Sequence, residues 1–583
     1  MTVTAPGSLV RAASLAELRG AGRLVAHAGG HSLCLIADGE QVHAVDNRCP
    51  HMGFPLNRGT VCDGILTCHW HHARFDLASG GTFDQFADEL RRFPVVLEGD
   101  DVLVDVGTPQ DHIAHQRQRL QDGLKRDIPL VLAKAAIALL QNDASGIEVF
   151  RAGIEFGARR RGEGWFRGLT TLTCLMNLVP HLDRSERAAA LYHGLADVAS
   201  DSAGQPPRFP LAPLPGQTPD VSRLATWFRQ FVEVRDAEGA ERALVSAVRS
   251  GASPTVLADM LFAAATDHRY LDRGHTLDFV NKALEALDVA GWDCAEVVLG
   301  SLPVQLAGAQ RMEEVSSWRS PVDLVALLER AFEELPQALN GDPNAETDPE
   351  LREALVETIL NDEPAAILGA QLTALREGTS PVELASAVTI AAATRIARFP
   401  TSNEFGDWDT ALHTFTFANA VEQGLRRSPS PLLVRGVLDA AISVHIDRFL
   451  NVPAKRLPRP TPADPKELLQ ELPRLLDRQQ QVEPARALVA SFLAAGGAPG
   501  RLISALGAAL LRENRNFHTI QCVEAAVRQN ELLDGTPDAE RPLVAAAGYL
   551  AAHATTTRSQ RQTFEIALRL HRGERLYDDE DVV

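Results

Sequence analysis

The segment Asn47–Asp76, NRCPHMGFPLNRGTVCDGILTCHWHHARFD, decides how the front of this 583-residue chain is read. Seven of its thirty residues are Cys or His. They fall as Cys49-Pro-His51, sixteen intervening residues, then Cys68-His-Trp-His71. Thiolates and imidazoles alternating in two short loops suit a metal centre. Two arrangements compete: tetrahedral zinc, and a [2Fe–2S] cluster with one iron on two Cys and the other on two His. Structural zinc sites draw on C-x₂₋₄-C pairs. The single spacer between Cys49 and His51 lets these two side chains point at different metal atoms.

Outward from this segment the flanks read as short strands. SLCLIADGEQVHAVDN (residues 32–47) alternates apolar and polar residues around Asp38-Gly39, and RRFPVVLEGDDVLVDV (residues 91–106) does so around Gly99-Asp100. Both are hairpin patterns. Residues 8–106 are therefore expected to form a small all-β domain with its Cys/His loops between strands, followed by a linker at 107–119.

Beyond residue 120 the texture is helical. Segments such as LVLAKAAIALLQN, ERAAALYHGLADVA, TLDFVNKALEAL, PVDLVALLERAFEEL and TFEIALRLHRGERL carry apolar residues at i, i+3, i+4 and i+7. The expected class is a small all-β domain followed by a large all-α helical domain at 120–577, ending in an acidic tail at 578–583. Proline-rich stretches at 205–219 and 452–465, and a weaker one in LNGDPNAETDPE, read as loops over the helical body.

Composition bounds the function. A formal charge of −19 argues against a general nucleic-acid binder, and no run is apolar enough for a membrane span. No secretory signal is visible, so a cytoplasmic location is expected. Seven cysteines over 583 positions make no disulfide framework.

CPHMGFPL and CHWHHARFDLASG resemble the two cluster loops of the Rieske family, with the family's C-x-H and C-x-x-H ligand pattern. The resemblance spans roughly residues 8–106. It implies that Cys49 and Cys68 hold the inner iron of a [2Fe–2S] cluster and His51 and His71 the outer one. His69 and His72 occupy non-ligand positions, and Cys34 and Cys62 read as small buried apolar residues. Rieske proteins of the respiratory bc complexes carry an extra Cys in each cluster loop. Gly53-Phe54 and His69-Trp70 stand in those neighbourhoods here. The domain thus resembles the ferredoxin and oxygenase kind, which implies a lower potential and electron supply to an oxygenase.

The remainder does not follow the ring-hydroxylating oxygenases. No His pair with four intervening residues follows residue 110, and the body is helical rather than α/β. HTLDFVNKALEAL, HTFTFANAVEQGLRR and HTIQCVEAAV resemble the questin oxidase-like family, helical non-heme iron oxygenases that cleave rings of anthraquinone-type polyketides. That resemblance implies a second iron held by several His, with His193, His275, His413 and His518 as ligands and His268 and His445 next. Lys282 is the candidate for carboxylation, and Lys455 the other. His268 and His275, seven apart, would share a helical face with Asp278 and Lys282 if one helix runs through Gly274.

The expected function is an oxidoreductase. A reductase supplies electrons to the [2Fe–2S] cluster, which passes them to a His-ligated non-heme iron for O₂-dependent oxidation of an aromatic or polyketide-like small molecule. The alternatives are an electron-transfer or redox-sensing protein with a non-catalytic helical docking domain, and an enzyme using manganese or zinc.

Overall fold

The computed structural model describes residues 9–107, 112–216, 219–340, 349–574 and 576. The expected acidic tail at 578–583, part of the expected linker, and most of the weak break around residue 345 lie outside these residues. The chain packs as two units, one of Met1–Gly146 with Gln562–Val583 and the other Ile147–Arg561.

Among the described residues the first unit holds ten strands. β2 (Arg23–Ala28), β3 (His31–Asp38), β4 (Gln41–Asp46) and β8 (Arg92–Phe93) form one antiparallel sheet. β1 (Leu9–Ser14), β10 (Asp101–Asp105) and β9 (Val95–Glu98) form a second. β5 (Thr60–Cys62), β6 (Ile65–Thr67) and β7 (Arg74–Asp76) form the third, which carries the cluster loops. Both expected hairpins form: Asp38 pairs with Gln41, and Glu98 with Asp101. Each two-residue turn begins with a glycine at φ 61°, a left-handed conformation that costs glycine nothing.

A short helix, α1 (Leu15–Ala21), follows β1, with the Ser14 side chain capping the Glu17 amide. Two long helices, α2 (His112–Arg126) and α3 (Pro129–Asn142), and the part of the last helix (Ser559–His571) beyond Arg561 complete this unit. Beneath the cluster loops lies a core of Cys34, Ile36, Val45, Phe54, Leu56, Leu66, Phe75 and Leu77.

The second unit is helical. Among the described residues every strand lies between Leu9 and Asp105. The periodic segments of this unit appear as helices Arg187–Ser202, His275–Ala290 and Leu324–Ala338, the second flanked by Gly274 and Gly291 and the third opened by Asp323. Three further helices matter for function: Phe405–Arg427, Val434–Asp447 and Phe517–Leu532. Their alanines let helices approach closely, and each buried Leu or Phe side chain contributes roughly 1.5–3 kcal/mol.

One expectation fails locally. His268 and His275 do not share a helix. Tyr270, Asp272 and Arg273 take positive φ values of 43°, 47° and 57°, Gly274 follows at 93°, and the helix begins at His275.

Candidate cluster site and three-histidine site

The first loop leaves β4 and returns on itself: the Cys49 amide donates to Phe54 O at 2.8 Å and the Gly53 amide to Cys49 O at 2.7 Å. Gly53, at φ 81°, makes that reversal. The second loop joins β6 to β7 and is closed by the Cys68 amide on Ala73 O at 2.8 Å. The two loops bring the Cys49 and Cys68 thiols, both buried, into hydrogen-bonding reach. The hydrogen bond with the Cys68 partner thiol and burial both push the Cys49 thiol up. Cys68 is held down by that hydrogen bond and by the backbone N–H groups of Trp70 and His71. The N–H groups of His51 and Met52 point in the same way at the Cys49 sulfur.

The imidazoles of His51 and His71 meet edge to face, 4.8 Å between ring centroids. Burial, helped by His71 and Lys134, brings His51 down to about 4, and its buried Nδ1 has no hydrogen-bond partner among the described residues. His71 is exposed and lies against Trp70, 4.5 Å away. Two sulfurs cradled by amides, two neutral imidazoles and an orphaned ring nitrogen fit a cluster with mixed Cys and His ligation. His69 faces Thr60 Oγ1 at 3.4 Å, and His72 is exposed at φ 60°. Cys34 is buried, its thiol pushed up to about 12 by burial. Cys62 corrects the sequence reading. It is exposed on β5 beside Asp63, because its strand is a short edge of the third sheet.

In the helical unit three of the nominated histidines converge. His275 opens its helix, His518 is the second residue of Phe517–Leu532, and His413 lies within Phe405–Arg427. One ligand nitrogen from each lies within 4.8 Å of the others. His413 Nε2 and His518 Nε2 are 3.0 Å apart. Metal–nitrogen bonds of about 2.1 Å at angles of roughly 90–110° put neighbouring ligand nitrogens about 3.0–3.4 Å apart. Burial drives the His275 imidazole down to about 3 and that of His413 to about 2, so both present lone pairs at neutral pH. The Nδ1 atoms of both are buried and without a hydrogen-bond partner among the described residues. Phe279 and Phe517 wall the site, at 5.5 and 5.4 Å from the His275 ring.

A carboxylate that sequence reasoning missed stands behind His518. Asp409 Oδ2 is 3.6 Å from His518 Nδ1, and Asp409 Oδ1 accepts from the Tyr549 hydroxyl at 2.5 Å and faces His553 Nε2 at 3.8 Å. Burial works to raise the Asp409 carboxyl, but the His518 and Tyr549 partners outweigh it and bring it to about 2. Its place four residues before His413, on the same helix, was a readable signal. On another side His413 lines a cleft of about 310 Å³ with Tyr270, Arg273, Trp318, Thr414 and Asp447. Tyr270 and Trp318 stack, 6.0 Å between centroids. Asp447 is buried, its Oδ2 lacks a partner among the described residues, and burial raises its carboxyl to about 7.

The other nominated residues lie outside this group. His268 bridges Glu313 and Glu233, each at 2.6 Å. His445 Nδ1 lies 3.1 Å from Asp362 O. His193 is buried, lowered to about 4 by burial. Lys282 lies between Glu285 at 2.9 Å and Glu524 at 2.7 Å, partners that hold an ammonium. Lys455 is exposed on its proline-rich loop.

Residues 8–94 match the family model of the Rieske [2Fe-2S] domain. The human apoptosis-inducing factor 3 is 35% identical over 77 residues, 13% of this chain and 13% of its own length, so the chain spans only a small part of that relative. The ferredoxin component of the p-cumate 2,3-dioxygenase system of Pseudomonas putida is 34% identical over 80 residues, 13% of this chain and 68% of that ferredoxin. Among solved structures, the ferredoxin of carbazole 1,9a-dioxygenase from Nocardioides aromaticivorans is 27% identical, with a TM-score of 0.16, covering 17% of this chain and 97% of the ferredoxin. No helix among the described residues is long and apolar enough to cross a membrane. Through these N-terminal residues the chain belongs to the Rieske [2Fe-2S] family, carrying a domain that implies a [2Fe–2S] cluster, with a large helical region fused behind it.

Proposed function

We propose that this chain is an oxygenase. In this reading its Rieske domain, reduced by a separate cytoplasmic reductase, supplies electrons to a non-heme iron held by His275, His413 and His518, for O₂-dependent oxidation of an aromatic or polyketide-like small molecule. In the front domain Cys49 and Cys68 would hold one iron of the cluster and His51 and His71 the other. Such a cluster supplies one-electron transfer, and the iron of the helical unit would supply O₂ chemistry.

The observation that carries the reading is the convergence of three imidazoles from three helices, with the buried Nδ1 atoms of His275 and His413 left unpaired among the described residues. Helical proteins build iron sites in this way from inward-facing side chains. The remaining residues have supporting parts. Asp409 Oδ2 faces His518 Nδ1 at 3.6 Å, which favours the orientation that turns Nε2 toward the other histidines. Phe279 and Phe517 exclude water. The Tyr270–Trp318 pair offers an aromatic face to a planar substrate, and the protonated Asp447 carboxyl can donate to a substrate carbonyl. Fusion of donor and acceptor in one chain raises their effective concentration for each other.

Iron and sulfide analysis tests this reading. The expected result is iron in excess of the two per two sulfides that a [2Fe–2S] cluster accounts for, with the excess lost in His413→Ala while the cluster's EPR signal stays. Two irons per chain in the iron-loaded wild type, unchanged by His413→Ala, would instead leave an electron-transfer protein with a helical scaffold. Manganese or zinc in that place would make the site an enzyme centre of another metal.

A further inference from the structure

Three charged side chains gather against the first cluster loop, two of them from beyond the segment that matches the Rieske family. Lys134, on α3, donates from Nζ to Pro50 O at 2.6 Å. Asp88 pairs with Lys134 and with Arg119 of α2, and all three are mostly buried. Arg119 also donates to Ala87 O at 3.3 Å, which ties α2 to the segment that carries Asp88. Asp46, Arg48, Glu89 and Arg91 line the adjoining cavity of about 270 Å³, together with Cys49 and Lys134.

The position of the ammonium matters because of the peptide it touches. Pro50 C=O and His51 N–H belong to one peptide unit, and that N–H points at the Cys49 sulfur. A cation on the carbonyl oxygen polarises the unit and strengthens its N–H as a donor, since linked hydrogen bonds reinforce one another. Hydrogen bonds to cluster sulfurs are among the features that set the potential of an iron–sulfur centre. Reduction adds one negative charge, which a nearby fixed cation also favours by direct attraction.

We propose that Lys134 raises the reduction potential of the cluster through the Pro50–His51 peptide, and that Asp88 is the counter-charge that limits the effect. This rests on the four-ligand assignment of the cluster and is independent of the three-histidine site. Because Lys134 and Arg119 lie outside residues 8–94, the device belongs to this fusion rather than to the matched segment.

The test is an anaerobic redox titration of the full-length protein, followed by EPR at one pH and one ionic strength. The signal of the reduced protein reports the ligand set, and its absence in the wild type would overturn the cluster assignment and this inference with it. Lys134→Met is expected to lower the midpoint potential, Lys134→Arg to keep it near the wild-type value, and Asp88→Asn to raise it. Lys134→Gln carries the same sign as Met should the Met variant lose its cluster. An unchanged or raised potential in the uncharged Lys134 variants would overturn the proposal. So would a shift of the same sign in the Lys134 and Asp88 variants, which is what a merely loosened loop produces.

Discussion

Asp447 illustrates how much a single buried carboxyl can couple to pH. Burial lifts its pKa to about 7, against the usual carboxylate value in the unfolded chain. The stability linked to its raised pKa is fully present below about pH 4 and is lost as pH rises toward 7, because the unfolded chain gives up the proton first. Asparagine resembles the protonated form at every pH. The difference in unfolding free energy between Asp447→Asn and wild type should therefore move in favour of the variant by a few kcal/mol between pH 4 and 7. Urea titrations across that range measure it, and a difference that stays flat would contradict a buried neutral carboxyl. Asp409 has the opposite character, held ionised by His518, Tyr549 and His553. Removing a carboxylate that orients a metal-binding histidine typically costs 10–100-fold in affinity. Asp409→Asn should weaken binding of Co(II) at the histidine site by about that factor, read by equilibrium dialysis against a His413→Ala blank.

At the scale of elements, the start of the His275–Ala290 helix is tightly constrained. Gly274 sits at φ 93°, and a Cβ there would come within 2.8 Å of both Phe417 Cβ and Tyr270 Cε2. Gly274→Ala should cost about 1–3 kcal/mol of stability and displace His275, so that denaturant midpoint and metal content fall together. An alanine variant with unchanged melting and metal binding would show that the turn tolerates a side chain. This turn also explains which features the sequence disclosed. The proposed cluster ligands could be named from the sequence because each Cys lies within three residues of its His, on one loop, and the loops flank a readable hairpin pattern. The helices were legible from their apolar period. The three-histidine site was legible only as a set of nominees, since its members come from separate helices, the last two 105 residues apart. His445, nominated next after these, is spent on the Asp362 carbonyl. Lys282 stood out as a rare lysine, but Glu524, on a distant helix, decides its role.

At the scale of the whole molecule, the far end of the chain returns to its beginning. Residues beyond Arg561 pack in the same unit as the Rieske strands. Arg48 donates to Leu570 O at 3.3 Å, and a Cβ on Gly53 would lie 3.1 Å from Leu570 Cδ2. The first cluster loop is thus covered by part of the helix Ser559–His571, far from it in sequence. A chain stopped after Arg561 keeps Cys49, His51, Cys68, His71 and the whole helical unit, yet uncovers that loop and removes both carbonyl acceptors of Arg48, Leu570 O and Glu574 O. Water then reaches the Cys49 side of the site, and the thiolate amides lose their support. The expected outcome is a cluster that assembles but decays several-fold faster in air, followed by the loss of its visible absorbance, with Leu570→Ala showing a smaller effect of the same sign. Equal decay rates for the truncated and full-length chains would mean that the strands and α2 and α3 shield the cluster without the C-terminal helix.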